Sequence, residues 1–247
     1  MMHIFSEANQ LNEALAQFIV SAAKTAVAEK GRFTFALTGG SSPKKLYELL
    51  AKDPYRNELP WKNTYIFWGD ERFVPQDDDR YNAKMAYETL LNHVPIPKEQ
   101  IYPMPYSAVM PPEEIAHQYE SLLKKHFGTA APEFDFILLG MGDDGHTASL
   151  FPYTPVLQEK DSWVSEVYHT GQQMYRITLT APLINKAKNI AFLLFGANKA
   201  QVLYDVLEGE YQPEHLPTQL IKPKKGSIHW FTDEAAASKL TQSRQEN

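Results

Sequence analysis

The 247-residue chain contains no cysteine. That absence excludes disulfide staples, Cys-ligated zinc, iron–sulfur clusters and thiolate catalysis, and it fits a reducing compartment. Long hydrophobic runs are missing too. The longest apolar stretches, such as residues 190–195, fall far short of the roughly 20 residues a membrane span needs. The start, Met1-Met2-His3-Ile4-Phe5-Ser6-Glu7, has no basic segment leading into an apolar one, so no secretory signal is expected. Positive charge is not in excess: 24 Lys and Arg stand against 30 Asp and Glu, a net charge of −6. Such a chain is a poor non-specific ligand for nucleic acid, which calls for a basic face. A few local cations still suffice for a small phosphate ester. No fixed-period repeat or low-complexity tract is present. The expectation is a soluble, cytoplasmic protein that binds neither nucleic acid nor membrane.

Hydrophobic residues make up 43% and charged residues 22% of the chain, which are ordinary globular values that exclude extensive disorder. No convincing linker interrupts the sequence, so residues 1–247 are expected to form a single domain. Leu11, Leu15, Phe18, Ile19, Ala22, Ala26 and Val27 recur at helical spacing and Gly31 follows them, predicting a first amphipathic helix that ends near Lys30. Residues 32–38 then read as a strand, with Ser42 as N-cap and Pro43 as first residue of a helix to about Leu50. Strands are also predicted at 64–68, 134–139, 176–180, 189–195 and 227–231. Helices are predicted at 82–91, 113–127 and 199–207, with a proline-rich irregular connection at 95–112. Alternating strands and helices imply a doubly wound, mostly parallel α/β sheet with helices on both faces, a Rossmann-like three-layer architecture. Such sheets bind ligands at the carboxyl ends of their strands. Four predicted strand ends carry glycine-rich or charged loops, at 39–42, 69–72, 140–146 and 196–199.

Gly39-Gly40-Ser41-Ser42-Pro43 offers free backbone N–H groups and two hydroxyls, an anion site or an ordinary capped turn. It lacks the Gly-Lys-Ser/Thr ending of a P-loop. Gly140-Met141-Gly142-Asp143-Asp144-Gly145 fits the dinucleotide pattern G-x-G-x-x-G, but two carboxylates in the turn would oppose a pyrophosphate. His146 is the one of eight histidines in a glycine-rich loop after a buried strand, and Asp144 stands two residues before it. A carboxylate on one imidazole nitrogen raises the basicity of the other, so the pair can activate water; the bland alternative is a histidine bonded within its own loop. No H-E-x-x-H helix or tight histidine cluster suggests a metal. Asp70-Glu71-Arg72 is a solvated turn or a carboxylate and guanidinium aimed into a cleft. Asp77-Asp78-Asp79 reads as a solvated loop, and Lys222, Lys224 and Lys225 as surface. Trp61, Trp68 and Trp163 fit core or cleft wall equally. Arg176 and Lys199 lie beside predicted strand ends, where a guanidinium fork and an ammonium can hold an anion.

Together these loops resemble the 6-phosphogluconolactonase family over nearly the whole chain. The segments that carry the resemblance are Leu37-Thr38-Gly39-Gly40-Ser41-Ser42-Pro43, Trp68-Gly69-Asp70-Glu71-Arg72-Phe73-Val74-Pro75, residues 140–152 (GMGDDGHTASLFP) and Gly196-Ala197-Asn198-Lys199-Ala200. The related glucosamine-6-phosphate deaminases share the Asp-Gly-His core. They typically have Asp-Glu-Tyr in place of Asp70-Glu71-Arg72, and an acidic residue in the segment occupied here by Thr147–Pro152, which has none. The family's frequent Ser-Asn pair is Tyr81-Asn82 here. The resemblance implies hydrolysis of 6-phospho-D-glucono-1,5-lactone, the second step of the oxidative pentose phosphate pathway, with a small-molecule sugar-phosphate lactone as partner and no cofactor. By matched position it implies phosphate binding at Gly39, Gly40, Ser41, Ser42, Arg176 and Lys199. His146 would be the general base, oriented by Asp144. Arg72 would stabilise the oxyanion or join the phosphate clamp. Asp70 would orient Arg72 or a sugar hydroxyl. A non-catalytic sugar-phosphate sensor is the alternative from another functional class. The sequence specifies no oligomeric state.

Overall fold

Leu11, Leu15, Ile19 and Ala26 are buried along one stripe of a helix, as the 3.6-residue period requires. In the computed structural model, which describes residues 1–128 and 132–241, this helix is α1 (Ala8–Lys30). It stops at Gly31, whose φ of 75° turns its N–H back onto the Val27 carbonyl, a left-handed cap that glycine adopts without a Cβ penalty. The remaining helices are α2 (Lys44–Leu50), α3 (Tyr55–Glu58), α4 (Asn82–Thr89), α5 (Pro112–Phe127), α6 (Ala181–Ile184), α7 (Ala200–Leu207) and α8 (Glu234–Ala237). The strands are β1 (Met2–Phe5), β2 (Phe33–Leu37), β3 (Thr64–Trp68), β4 (Asp70–Arg72), β5 (Phe136–Leu139), β6 (Val164–His169), β7 (Met174–Leu179), β8 (Asn189–Leu194) and β9 (Ser227–Asp233). Among the described residues no helix is long and apolar enough to cross a membrane.

Six strands form a wholly parallel sheet in the order β1-β9-β8-β5-β2-β3. β2 and β5 are buried at every position, which requires cover on both faces, as in doubly wound sheets. The chain moves outward from β2 to β3 and then crosses to β5 on the other side of β2. The strand order therefore reverses between β2 and β5, and a crevice opens there at the carboxyl ends. A continuous buried cluster runs from Leu11 to Leu240. Trp61, Trp68 and Trp163 belong to it, which settles them as core.

The sequence pattern misses β1, β4 and β6, and it misplaces the strand around Arg176. That strand, β7, pairs antiparallel with β4 and β6 in a separate three-stranded sheet. The reason is local: only the turn at Thr170–Gln172 and Gln173, the latter with φ 50°, separates β6 from β7. So short a link allows a hairpin but not a parallel crossover. The chain changes sheets at Gly69, whose N–H donates to the Leu37 carbonyl (2.8 Å) while its carbonyl accepts from Leu179 N–H (2.8 Å). The expected Ser42 cap is also corrected: Pro43, in helical conformation, precedes Lys44 and no side chain caps α2.

Asp135 ties the amino ends of β2 and β5 together, at the end of the sheet opposite the crevice. Its buried carboxylate accepts from Thr34 N–H and Thr34 Oγ1 (both 2.9 Å) and pairs with Lys30 Nζ at 2.8 Å. Removing one partner of such a group leaves several donors without an acceptor. Asp135→Ala should therefore lower the unfolding free energy by about 3 kcal/mol. Urea denaturation measures this, and a wild-type midpoint would show that the carboxylate is dispensable.

Candidate active site

The four loops expected to carry chemistry, after β2, β3, β5 and β8, border one cavity of about 300 Å³, the lower end of the range for small-molecule sites. Of the residues singled out from sequence, Gly39, Gly40, Ser41, Ser42, Asp70, Arg72, His146, Arg176 and Lys199 all line it. Asp144 stands behind His146 rather than on the wall. Residues 95–112 are absent from the lining.

The loop after β5 builds the histidine. His146 Nδ1 lies 2.5 Å from Asp144 Oδ1, and the same oxygen accepts the His146 backbone N–H at 3.2 Å. Burial raises the Asp144 carboxyl, but the hydrogen bonds and charge of His146 outweigh it and hold the pKa at about 2. An ionised carboxylate only accepts, so Nδ1 carries a proton, and in the neutral ring Nε2 holds the lone pair. Gly142 makes this geometry possible, because a Cβ there would lie 2.1 Å from the imidazole Nδ1. Thr218 fastens the loop from outside through its N–H and hydroxyl on the Gly145 carbonyl, at 2.9 and 2.8 Å.

The small sheet builds the opposite wall. In the β4–β7 ladder Arg72 stands directly opposite Arg176, and Asp70 opposite Thr178. With a side-chain period of two, Asp70 and Arg72 share the face that looks into the cavity. Arg176 is 4% exposed. Its terminal nitrogen donates to Gln172 Oε1, and burial pushes its pKa down to about 10. The Nε groups of both arginines are buried with no partner among the described residues. Asp70 is likewise buried, accepting from Ser149 Oγ at 2.6 Å. Glu71 points to the other face and accepts the N–H groups of Arg72 (2.8 Å), Asn82 (2.6 Å) and Ala83 (2.9 Å). Burial pushes its carboxyl up to about 8 against those donors. Glu71 therefore caps α4 and fixes Asn82.

Asn82 joins three parts of the site. Its Nδ2 donates to the Asp70 carbonyl at 2.9 Å and its Oδ1 accepts from Arg72. It also lies over Gly39, where a Cβ would fall 1.7 Å from Oδ1. Glycine at 39 is thus required by Asn82. Lys199 reaches the cavity, and its Nζ pairs with Asp143 Oδ1 at 2.5 Å. The acidic run at 77–79 is solvated and ion-paired, through Asp78 to Arg80 and Asp79 to Lys84. Among the described residues no group of three His, Asp or Glu side chains is arranged to hold a metal ion.

The family model described as glucosamine-6-phosphate isomerases/6-phosphogluconolactonase matches residues 6–230. The chain belongs to this family. Among curated relatives, a 6-phosphogluconolactonase from Synechocystis is 44% identical over 218 residues, covering 87% of this chain and 88% of the relative. One from Nostoc is 41% identical over 226 residues, covering 90% and 91%. A solved 6-phosphogluconolactonase from Trypanosoma brucei superposes with a TM-score of 0.85 at 28% identity, covering 98% of each chain. The parallel sheet and its loop arrangement are thus those of the glucosamine-6-phosphate isomerase/6-phosphogluconolactonase family.

Lining residues that the sequence reading did not assign to the site include Asn82, Phe151, His169 and Gln172. Phe151 lies in the segment carrying the family resemblance, yet nothing local says that its ring faces the cavity. His169 and Gln172 lie at the β6–β7 turn; residues 175–179 alternate, but 164–169 (VSEVYH) do not, so the hairpin carries no complete period-two signal. The depressed Asp144 pKa has a sign that can be checked. Its contribution to stability is complete above the ordinary value of 3.8 and is lost as pH falls through about 2. An NMR titration of the Asp144 carboxyl should show that low midpoint and should return toward 3.8 in His146→Ala. An unshifted midpoint in that variant would mean that burial and backbone groups, not the imidazole, set it.

Proposed function

We propose that the protein is a 6-phosphogluconolactonase, hydrolysing 6-phospho-D-glucono-1,5-lactone to 6-phospho-D-gluconate in the oxidative pentose phosphate pathway. The observation that carries this reading is the His146–Asp144 pair and the Arg72–Arg176 pair facing one cavity. A base and an anion clamp on opposite walls suit a substrate with an electrophilic carbonyl at one end and a phosphate at the other. The names of the relatives point the same way.

In this mechanism the phosphate is received by the Gly39, Gly40, Ser41 and Ser42 loop with Arg176 and Lys199. Arg72 stands across the ladder from Arg176, which favours a place in the clamp over an oxyanion role. The Lys199–Asp143 pair is solvent-exposed on the Asp143 side, and exposed pairs are worth little, so the ammonium exchanges readily to phosphate. Anchoring the phosphate fixes the lactone carbonyl beside His146 without entering the chemistry. His146 Nε2 takes a proton from water as its oxygen attacks C1. The tetrahedral intermediate then breaks the bond between C1 and the ring oxygen, and the imidazolium returns the proton to that oxygen. Asp144 holds the ring and stabilises its cationic form. Asp70, held by Ser149, is placed to orient Arg72 or a sugar hydroxyl. A lactone is an activated ester, so this chemistry needs no cofactor.

The 6-phospholactone, generated in place from glucose 6-phosphate and a dehydrogenase, should open faster with the protein than spontaneously. His146→Ala should lower turnover by roughly 10²-fold or more while leaving the fold intact; near-normal turnover would remove His146 as the base. Lys199→Ala should chiefly weaken binding of the phosphorylated lactone. An unchanged preference for phosphorylated over plain gluconolactone would remove Lys199 from the clamp. Ammonia released from glucosamine 6-phosphate would instead mark a deaminase, and sugar-phosphate binding without turnover a sensor.

A further inference from the structure

We propose that His169 is a substrate-contacting residue, whose neutral imidazole donates a hydrogen bond from Nε2 to a hydroxyl oxygen of the sugar ring. This rests on the lactonase reading of the cavity. His169 closes β6 and lines the cavity. Its Nδ1 receives the backbone N–H of Gln172 at 3.0 Å. A backbone N–H only donates, so Nδ1 must present its lone pair, and the proton of the neutral ring sits on Nε2. Nε2 has no partner among the described residues. Burial and the nearby Arg176 charge lower the His169 pKa, which keeps the ring neutral at pH 7.

The two cavity histidines thus hold opposite tautomers. His146 is bound at Nδ1 by a carboxylate and offers a lone pair at Nε2, whereas His169 is bound at Nδ1 by an amide and offers a proton. They flank one aromatic ring: the Phe151 centroid lies 4.6 Å from that of His146 and 4.3 Å from that of His169, edge-on to the latter. Phe151 is almost fully buried, so it fixes both imidazoles against a rigid wall. Gln172 extends the line, because its N–H holds His169 while its side-chain oxygen holds Arg176. His146, His169 and Arg176 line one cavity, so a molecule held between the base at His146 and the guanidinium at Arg176 lies within the cavity that the His169 ring borders. A sugar ring has hydroxyl oxygens free to accept there.

The test compares His169→Phe, which keeps a ring against Phe151 and removes the donor, with His169→Gln, which carries an amide N–H to nearly the same place. Lactone hydrolysis is followed with the phosphorylated and the plain substrate, alongside thermal unfolding. His169→Phe should lower kcat/KM about tenfold, the effect of one hydrogen bond, mainly through KM, equally for both substrates and without loss of thermal stability. His169→Gln should recover most of it. Unchanged kcat/KM in His169→Phe would overturn the proposal. So would equal losses in both variants that track a fall in stability, or a loss confined to the phosphorylated substrate. Imidazole ¹⁵N spectra of the unaltered protein give a readout independent of turnover. A protonated Nε2 and bare Nδ1 are expected, with the Nε2–H resonance moving on addition of 6-phosphogluconate; the reverse tautomer, or no movement, refutes the contact. Absence of hydrolysis by the unaltered protein would refute the lactonase reading instead, and the spectra then still decide the His169 contact.

Discussion

Two arginines stand opposite each other in the β4–β7 ladder, and the rest of the site is arranged around that opposition. Like charges directly across a strand pair destabilise it, and Arg176 is almost wholly buried. The pairing survives because neighbouring groups restrain each guanidinium without cancelling it. Gln172 and Asn82 supply neutral oxygens to Arg176 and Arg72, and the Arg80 carbonyl supplies another to Arg72. Asp70 is the one carboxylate on the same face, and its Oδ2 is engaged by Ser149. Glu71 faces away and serves α4. The cavity wall therefore keeps unsatisfied donors and net positive character, the condition for receiving an anion.

The architecture follows from how the small sheet is made. The parallel sheet alone would place the loops after β2, β5 and β8 around an open crevice. At Gly69 the chain leaves β3 and joins the antiparallel sheet, keeping one hydrogen bond to each. That switch carries Asp70 and Arg72 across the crevice mouth and turns an open edge into a cavity. The β6–β7 hairpin brings Arg176, His169 and Gln172 to the same wall. The opposite wall is built by the loops after β2 and β5, whose glycines permit close approach, Gly39 beneath Asn82 and Gly142 beneath the imidazole. Substitution at either position would displace the side chain lying over it, Asn82 or His146.

The division of labour between the walls also separates their protonation chemistry. On the loop wall, the carboxylate of Asp144 is ionised and leaves His146 with a basic nitrogen. On the sheet wall, a backbone amide does the analogous job for His169 and leaves it a donor. The same side-chain type thus presents a lone pair in one place and an N–H in the other because different groups hold Nδ1, and both rings pack on Phe151. Family membership accounts for the scaffold and for the motif residues; these contacts account for how the residues are poised.

The sequence by itself determined the strand–helix alternation, the four loops that meet at the crevice, and the Asp144–His146 pair. Each is written in neighbouring residues: a hydrophobic period, a glycine next to a strand end, a carboxylate two positions from an imidazole. The tertiary structure alone decided that Arg72 faces Arg176, that Ser149 holds Asp70, that Lys199 is paired with Asp143, and that His169 and Gln172 reach the cavity. Those facts depend on strand register and on which sheet a strand joins. Both are settled by pairing between segments far apart in the chain, which local periodicity does not encode. The strand of Arg176 shows the difference: its existence was legible in its residues, but its partner and direction were set by the short turn before it and by Gly69, more than a hundred residues upstream.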